Sequence, residues 1–208
     1  MLRAVIRYPL NEVFYTLQGE GFYSGRPAVF IRFSGCSRTC DFCDTDHTEK
    51  FEMTPEEIVD SVKNVCPVSP NLIILTGGEP TIHDLESVCR ELVTHFLGIE
   101  IAIETNGYDP SQLDRLKKRH LIDWITFSPK EFVGVSQDMF DLANEIKIVY
   151  DEKNDPLAYL PLIPEELFDR NCCFIQPCSE NFQPAIFFVQ QNPQWRLSVQ
   201  TQKILGVR

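Results

Sequence analysis

The sequence predicts an α/β fold: a partial, incomplete TIM-like barrel of parallel strands with outer helices. Three observations lead there. Beyond residue 53, short apolar runs of strand length alternate with amphipathic helical segments. Repeated strand–helix–strand units require a mostly parallel sheet with helices outside. The strands end in stretches rich in Gly, Pro, Cys and charge, and in a barrel all such C-terminal ends open onto one face, where active sites form. The chain has 208 residues, whereas eightfold closure usually takes about 250, so closure is expected to be incomplete.

The first strand is expected at 28–33 (AVFIRF), running straight into a cysteine cluster at 36–43. Thr54-Pro55-Glu56-Glu57 then starts a helix: Thr54 caps, Pro55 suits the first turn and Glu57 completes a capping box. Ile58, Val62 and Val65 keep helical spacing as far as Cys66 and Pro67. Residues 71–76 read as a buried strand followed by Gly77-Gly78-Glu79-Pro80, and a helix over 84–96 turns Leu85, Val88, Cys89, Leu92 and Val93 inward. A strand at 100–104 ends at Thr105-Asn106-Gly107; a helix over 111–120 and a strand at 124–128 follow. Next come a helix over 137–143, a strand at 145–150 and an inner strand at 173–176 closed by Pro177. The polar, Pro-bearing segment 151–162 is expected to be loop, 184–191 a short helix and 195–199 a final strand.

Composition excludes several classes. The formal charge is −11, and an acidic chain repels phosphate backbones, so nucleic acid is not expected as a partner. The basic run 115–120 falls at a helix end, where cations oppose the negative dipole. No stretch approaches the roughly 20 apolar residues that cross a bilayer, and the N-terminal residues carry no signal-peptide pattern. A cytoplasmic protein without a membrane partner is expected. In a reducing compartment clustered cysteines are metal ligands more often than disulfides. Cys66 and Cys89 fit packing on helix faces, and Cys172, Cys173 and Cys178 match no ligand spacing.

Cys36, Cys40 and Cys43 form a Cx3CxxC loop that supplies three thiolates. A structural zinc site wants four ligands, and His47 would be the fourth. Ferredoxin-type clusters also use four cysteines. Three in one tight loop leave one iron of a [4Fe–4S] cube free to bind a small molecule.

This spacing, with aromatic Phe42 before the last cysteine and Thr76-Gly77-Gly78-Glu79-Pro80 at the next strand end, resembles the radical S-adenosylmethionine superfamily. Further motifs narrow the resemblance: Tyr15-Thr16-Leu17-Gln18-Gly19-Glu20-Gly21, Arg32, Asp44-Thr45, Glu104-Thr105-Asn106-Gly107, Ser128-Pro129-Lys130 and the final residues 200–208. Over nearly the whole chain they are similar to the 7-carboxy-7-deazaguanine synthase family. The resemblance implies a single radical-SAM domain over 1–208, with short N- and C-terminal extensions completing the substrate site. It implies conversion of 6-carboxy-5,6,7,8-tetrahydropterin to 7-carboxy-7-deazaguanine with loss of ammonia, in the biosynthesis of queuosine and other 7-deazapurines. It also implies a [4Fe–4S] cluster, S-adenosylmethionine and Mg2+, a homodimer, and an electron donor such as flavodoxin or ferredoxin.

Carried over by position, Cys36, Cys40 and Cys43 would ligate the cluster, and Thr45 the magnesium. Phe42, Cys43, Asp44 and Gly78 would adjoin S-adenosylmethionine, with Ser128, Pro129, Lys130, Gln176, Pro177, Cys178 and Ser179 further along it. Leu17, Gln18, Gly19, Arg32, Thr76 and the terminal carboxylate of Arg208 would hold the pterin. The chemistry of each is suitable: Arg32 offers a planar fork for a carboxylate, and one hydroxyl can suffice for a magnesium ion that keeps water and substrate oxygens. Structural readings stand beside these. Arg32 would pair with a buried carboxylate such as Glu79 or Glu104, Thr45 would be a turn residue, and Lys130 a barrel-mouth salt bridge. Glu104 would meet cofactor ribose, substrate amine or only Lys130. Gln202 stands where the family commonly has histidine, and it cannot titrate near neutral pH. The alternatives are a glycyl-radical-activating type of radical enzyme, which Leu17–Gly21 and Thr45 fit less well, and a non-catalytic zinc or iron–sulfur module.

Overall fold

A computed structural model describes residues 5–132, 134–151, 154–178 and 181–208. One sheet organises them, in the order β3-β1-β2-β4-β5-β6-β7-β8-β9. Its strands are β1 (Tyr8–Leu17), β2 (Pro27–Phe33), β3 (Phe51–Met53), β4 (Leu72–Gly77), β5 (Glu100–Thr105), β6 (Trp124–Phe127), β7 (Glu145–Tyr150), β8 (Cys173–Pro177) and β9 (Arg196–Leu197). From β2 to β9 every pairing is parallel, while β1 pairs antiparallel with both β2 and β3. The sheet ends at β3 and β9 and does not close, as expected of a partial barrel.

The helices are α1 (Pro55–Val65), α2 (Glu86–His95), α3 (Pro110–Lys118), α4 (Gln137–Leu142), α5 (Glu165–Asp169), α6 (Gln183–Gln191) and α7 (Thr201–Leu205). The reciprocal capping box at Thr54 and Glu57 forms, and Ile58 and Val62 are fully buried. Asp109 and Ser136 cap α3 and α4 through their side-chain oxygens. Leu85, Val88, Cys89 and Leu92 enter the core, but Val93 is 37% exposed, at the edge of that stripe. The basic run closes α3, with Arg115 and Arg119 on Glu86.

Several elements depart from expectation. The chain begins its sheet at β1, not at 28–33, because Pro9 and a register shift between Leu10 and Glu12 interrupt the strand pattern. Segment 151–162 is not all loop: Pro156–Leu162 winds into a 3-10 helix that Asp155 caps and that buries Tyr159. The final strand keeps only Arg196–Leu197. On and after α6, Phe188 and Trp195 belong to the core, whereas Phe187 is exposed. No helix among the described residues is long and apolar enough to cross a membrane.

Candidate active site

Side chains alternate across a strand, and on the inner face of this sheet the alternation changes character along the strand direction. Phe30 gives way to Arg32 on β2, Ile74 to Thr76 on β4, Ala102 to Glu104 on β5 and Phe174 to Gln176 on β8. Paired registers, Arg32 beside Thr76 and Glu104 beside Thr126, set these residues into a polar layer. Above that layer lies a cavity of ≈ 620 Å³ at the C-terminal strand ends. It is lined by every residue assigned from the resemblance except Pro129 and Ser179. Pro129 is buried outside the lining with its carbonyl accepting from Asn154 Nδ2, and Ser179 lies outside the described residues.

One wall is the cysteine loop. Cys36, Cys40 and Cys43 are free of disulfides, the first two half-buried and the third exposed. Burial, with the neighbouring Cys36 and Cys43, raises the Cys40 thiol above its ordinary value. Among the described residues, no three Cys, His, Asp or Glu side chains already form a metal cage. Gly78 lets the β4 loop touch this wall, since a Cβ there would stand 2.1 Å from Gly35 O and 2.8 Å from Cys36 Cβ. Glu79 points away from the cavity. It is fully buried and ties the loop to β5 by accepting from Thr81, Thr105 Oγ1 (2.7 Å) and Asn106 N (2.6 Å).

Arg32 pairs with neither Glu79 nor Glu104 but with Glu12 on β1, Nε to Oε1 at 2.8 Å. The guanidinium of Arg208 reaches the same carboxylate, and both arginines lie over the Phe14 ring. Glu104 does not meet Lys130. Its oxygens accept from Gln18 Nε2 (3.1 Å) and Thr76 Oγ1 (3.0 Å). Lys130 Nζ donates to Ser128 Oγ at 3.0 Å, and burial, reinforced by Lys147, lowers its ordinary pKa. Thr45 lines the cavity with its hydroxyl 3.4 Å from Asp44 Oδ1.

The C-terminal turn closes the other side. Thr201 donates through N and Oγ1 to Gly19 O at 3.1 and 3.0 Å. A Cβ on Gly19 would stand 2.7 Å from the backbone N of Gln202, an atom that cannot swing aside, so glycine permits this approach. Gln202 Nε2 donates to Glu20, and Lys203 pairs with Asp44 at 2.5 Å. Burial opposes charge on Asp44, but Lys203 and Gln200 hold its carboxyl below the usual range.

Sequence reasoning assigns no role to Lys147 or Glu12, and names Glu20 only as part of the Tyr15–Gly21 motif. Lys147 Nζ lies 2.5 Å from Glu20 Oε2 and 3.5 Å from Glu104 Oε1. The available signal was the pair of charged residues, Glu145 and Lys147, on the inward alternation Glu-x-Lys-x-Val of β7.

Comparison with known proteins agrees with this geometry. Residues 30–133 match the model of the radical SAM superfamily, a span that takes in the cysteine loop, the β4 loop and Ser128–Lys130. The chain is 40% identical to the 7-carboxy-7-deazaguanine synthase of Bacteroides thetaiotaomicron over 96% of this chain and 98% of that protein. Identity to the enzyme of the same name from Synechocystis is 33%, covering 98% and 95%. The crystal structure of QueE from Escherichia coli superposes with a TM-score of 0.67 at 28% identity, covering 93% of each chain. With its motifs gathered at one strand-end cavity and its likeness running nearly end to end, this chain belongs to the 7-carboxy-7-deazaguanine synthase family of the radical SAM superfamily.

Proposed function

We propose that the chain converts 6-carboxy-5,6,7,8-tetrahydropterin to 7-carboxy-7-deazaguanine with release of ammonia, using a [4Fe–4S] cluster, S-adenosylmethionine and Mg2+. The observation that carries this reading is the convergence, on one ≈ 620 Å³ cavity, of a three-thiol loop on one wall and a polar pocket built by β1, β2, β5 and α7 on the other. The donor set fits the groups it would hold. Three unpaired thiols suit a cluster with one open iron, and the close approach at Gly78 leaves backbone for the amino-acid end of a cofactor. When bound, cluster and S-adenosylmethionine would supply the radical chemistry, which is the cofactor's own.

The chain's residues bind, orient and exclude water. Arg32 keeps its guanidinium nitrogens beyond Nε for a substrate carboxylate while Glu12 fixes its plane. Gln18, Thr76 and Glu104 form a hydrogen-bonding edge suited to pterin N–H and C=O groups. Thr45 would offer its hydroxyl to the magnesium, and Arg208, which lines the same cavity, would face the pterin. Holding two reactants in one water-poor cavity is where an enzyme gains most from geometry. A single domain over 1–208, a homodimer, an external electron donor of the flavodoxin or ferredoxin kind and a cytoplasmic location belong to the same reading. The exposed apolar side chains on α6 and α7, Phe187, Ile204 and Leu205, suit a subunit contact.

The test is anaerobic: cluster-reconstituted full chain, S-adenosylmethionine, Mg2+, reductant and the carboxy-tetrahydropterin, with product identified by mass. Formation of 7-carboxy-7-deazaguanine with ammonia is expected. Cofactor cleavage without that product would favour a different radical reaction.

A further inference from the structure

We propose that Lys147 is the positioning residue of the substrate side of the site: one buried ammonium joins Glu20 to Glu104 and through them sets Gln18, Thr76 and the C-terminal turn. The inference rests on the pterin reading for what is bound there, but the restraint it describes is visible without substrate.

Lys147 stands on the inward face of β7 between Glu145 and Val149, with 8% of its side chain exposed. A buried ammonium is costly unless paired and hydrogen-bonded, and here two carboxylates converge on it, at 2.5 and 3.5 Å. Burial works against its charge, yet Glu104 and Glu20 push its pKa upward. Burial likewise opposes charge on Glu20, but Lys147, Gln200 and Gln202 bring its carboxyl down to about 2.

Each carboxylate passes the restraint on. Glu104 takes Gln18 Nε2 on one oxygen and Thr76 Oγ1 on the other. Glu20 Oε1 takes Gln200 Nε2 at 2.8 Å and Gln202 Nε2 at 3.2 Å. Gln18 Oε1 in turn accepts from Glu20 N at 3.1 Å, closing a ring from Lys147 through both carboxylates. Three chain-distant pieces, the 18–20 loop, the ends of β4 and β5, and the turn into α7, are thereby registered against a single atom. The cofactor loop meets the C-terminal turn at Asp44, through Gln200 Nε2 at 3.4 Å and Lys203 Nζ at 2.5 Å, contacts that do not run through Lys147. The prediction is therefore selective: loss of Lys147 loosens the pterin half and spares the cofactor half.

The experiment uses the cluster-reconstituted full chain and its Lys147→Met, Lys147→Arg and Glu20→Gln/Lys147→Met variants. Amide hydrogen exchange without ligand reads the restraint directly. Lys147→Met is expected to speed exchange at 18–20 and 200–207 and leave 36–43 unchanged. Binding of the carboxy-tetrahydropterin should weaken by about tenfold or more, as when one partner of a buried pair is removed, with S-adenosylmethionine affinity within about twofold of wild type. Lys147→Arg, which keeps the charge, should recover most of the pterin affinity. The double variant restores the local charge count, so it should regain thermal stability without regaining the pterin. Unchanged exchange in both segments, equal weakening of both ligands, or recovery of pterin affinity in the double variant would each overturn the proposal. Faster exchange in those segments with a wild type that binds no pterin would overturn the pterin reading while upholding the positioning role.

Discussion

Glu145 is 2% exposed on the same inward face as Lys147, and it accepts from Phe22 N at 3.3 Å and Trp124 Nε1 at 3.1 Å. Burial raises its carboxyl from 4.5 to about 7, with Lys147 and these donors holding it from going higher. The sign follows from linkage: the folded state keeps this proton more tightly than the unfolded one. Its contribution is thus full below 4.5 and is lost as pH rises toward about 7. Glu145→Gln keeps an acceptor for both donors and removes the titration. The stability of the variant relative to wild type is expected to improve between about pH 5 and about pH 8, by at most about 3 kcal/mol. Urea melts across that range decide it, and a difference independent of pH would place the folded carboxyl at its ordinary value. A second residue-scale prediction concerns Gly78, whose added methyl would overlap the Gly35 carbonyl. Gly78→Ala is expected to push the cysteine loop outward and to weaken S-adenosylmethionine binding by about tenfold or more while the sheet still folds. Wild-type affinity in a calorimetric titration would show that the loops can part without cost.

Elements differ in how far their sequences announce them. The parallel strands from β4 to β8 are short, largely apolar runs bounded by Gly, Pro or Asn, and runs buried on both faces are legible from one sequence. So is the cysteine loop, because its function fixes residue type and spacing. β1 is not, since its Pro9, buried Asn11 and Glu12 break the alternation and its antiparallel partners supply the missing order. β3 is three residues long, and α7 is a five-residue helix without a side-chain cap, too short for periodicity to register. The pairings of Lys147 with Glu20 and of Arg32 with Glu12 were equally hidden, because contacts across 127 and 20 residues depend on strand register rather than local pattern. α7 buries none of its residues and attaches by polar contacts to Gly19, Glu20 and Asp44, and Arg208 beyond it pairs with Glu12. Exposed ion pairs of this kind add little stability. Removing 201–208 is therefore expected to shift the melting temperature by about 4 °C or less while abolishing pterin binding. A truncated chain that binds the pterin at full strength would reduce α7 to an ornament of the surface.

At the scale of the whole molecule, core and chemistry occupy different layers, and this separation has a thermodynamic consequence. The apolar core lies between the sheet and its helices and includes Cys66, Cys89, Cys172 and Cys173, all buried. The three candidate cluster ligands lie outside it, in a segment between β2 and β3 without regular structure. That segment is anchored at its two ends instead: Gly35 N donates to His47 O at 3.0 Å, and Ser34 Oγ and Asn11 Nδ2 both reach Thr48 O. Small metal-stapled domains fold only when their metal binds, because the site is their core. Here the opposite is expected. Replacing Cys36, Cys40 and Cys43 together by Ala should abolish iron and sulfide incorporation and S-adenosylmethionine binding. Far-UV circular dichroism should stay unchanged, and the melting temperature should lie within about 3 °C of the cluster-free wild type. Single replacements should already lose the cluster, since three thiols leave no ligand to spare. A collapse of secondary structure in the triple variant would mean that the loop thiols pack as part of the core. The anchors at Gly35, Ser34 and Asn11 argue against that, because each fixes the loop's backbone without using a sulfur atom.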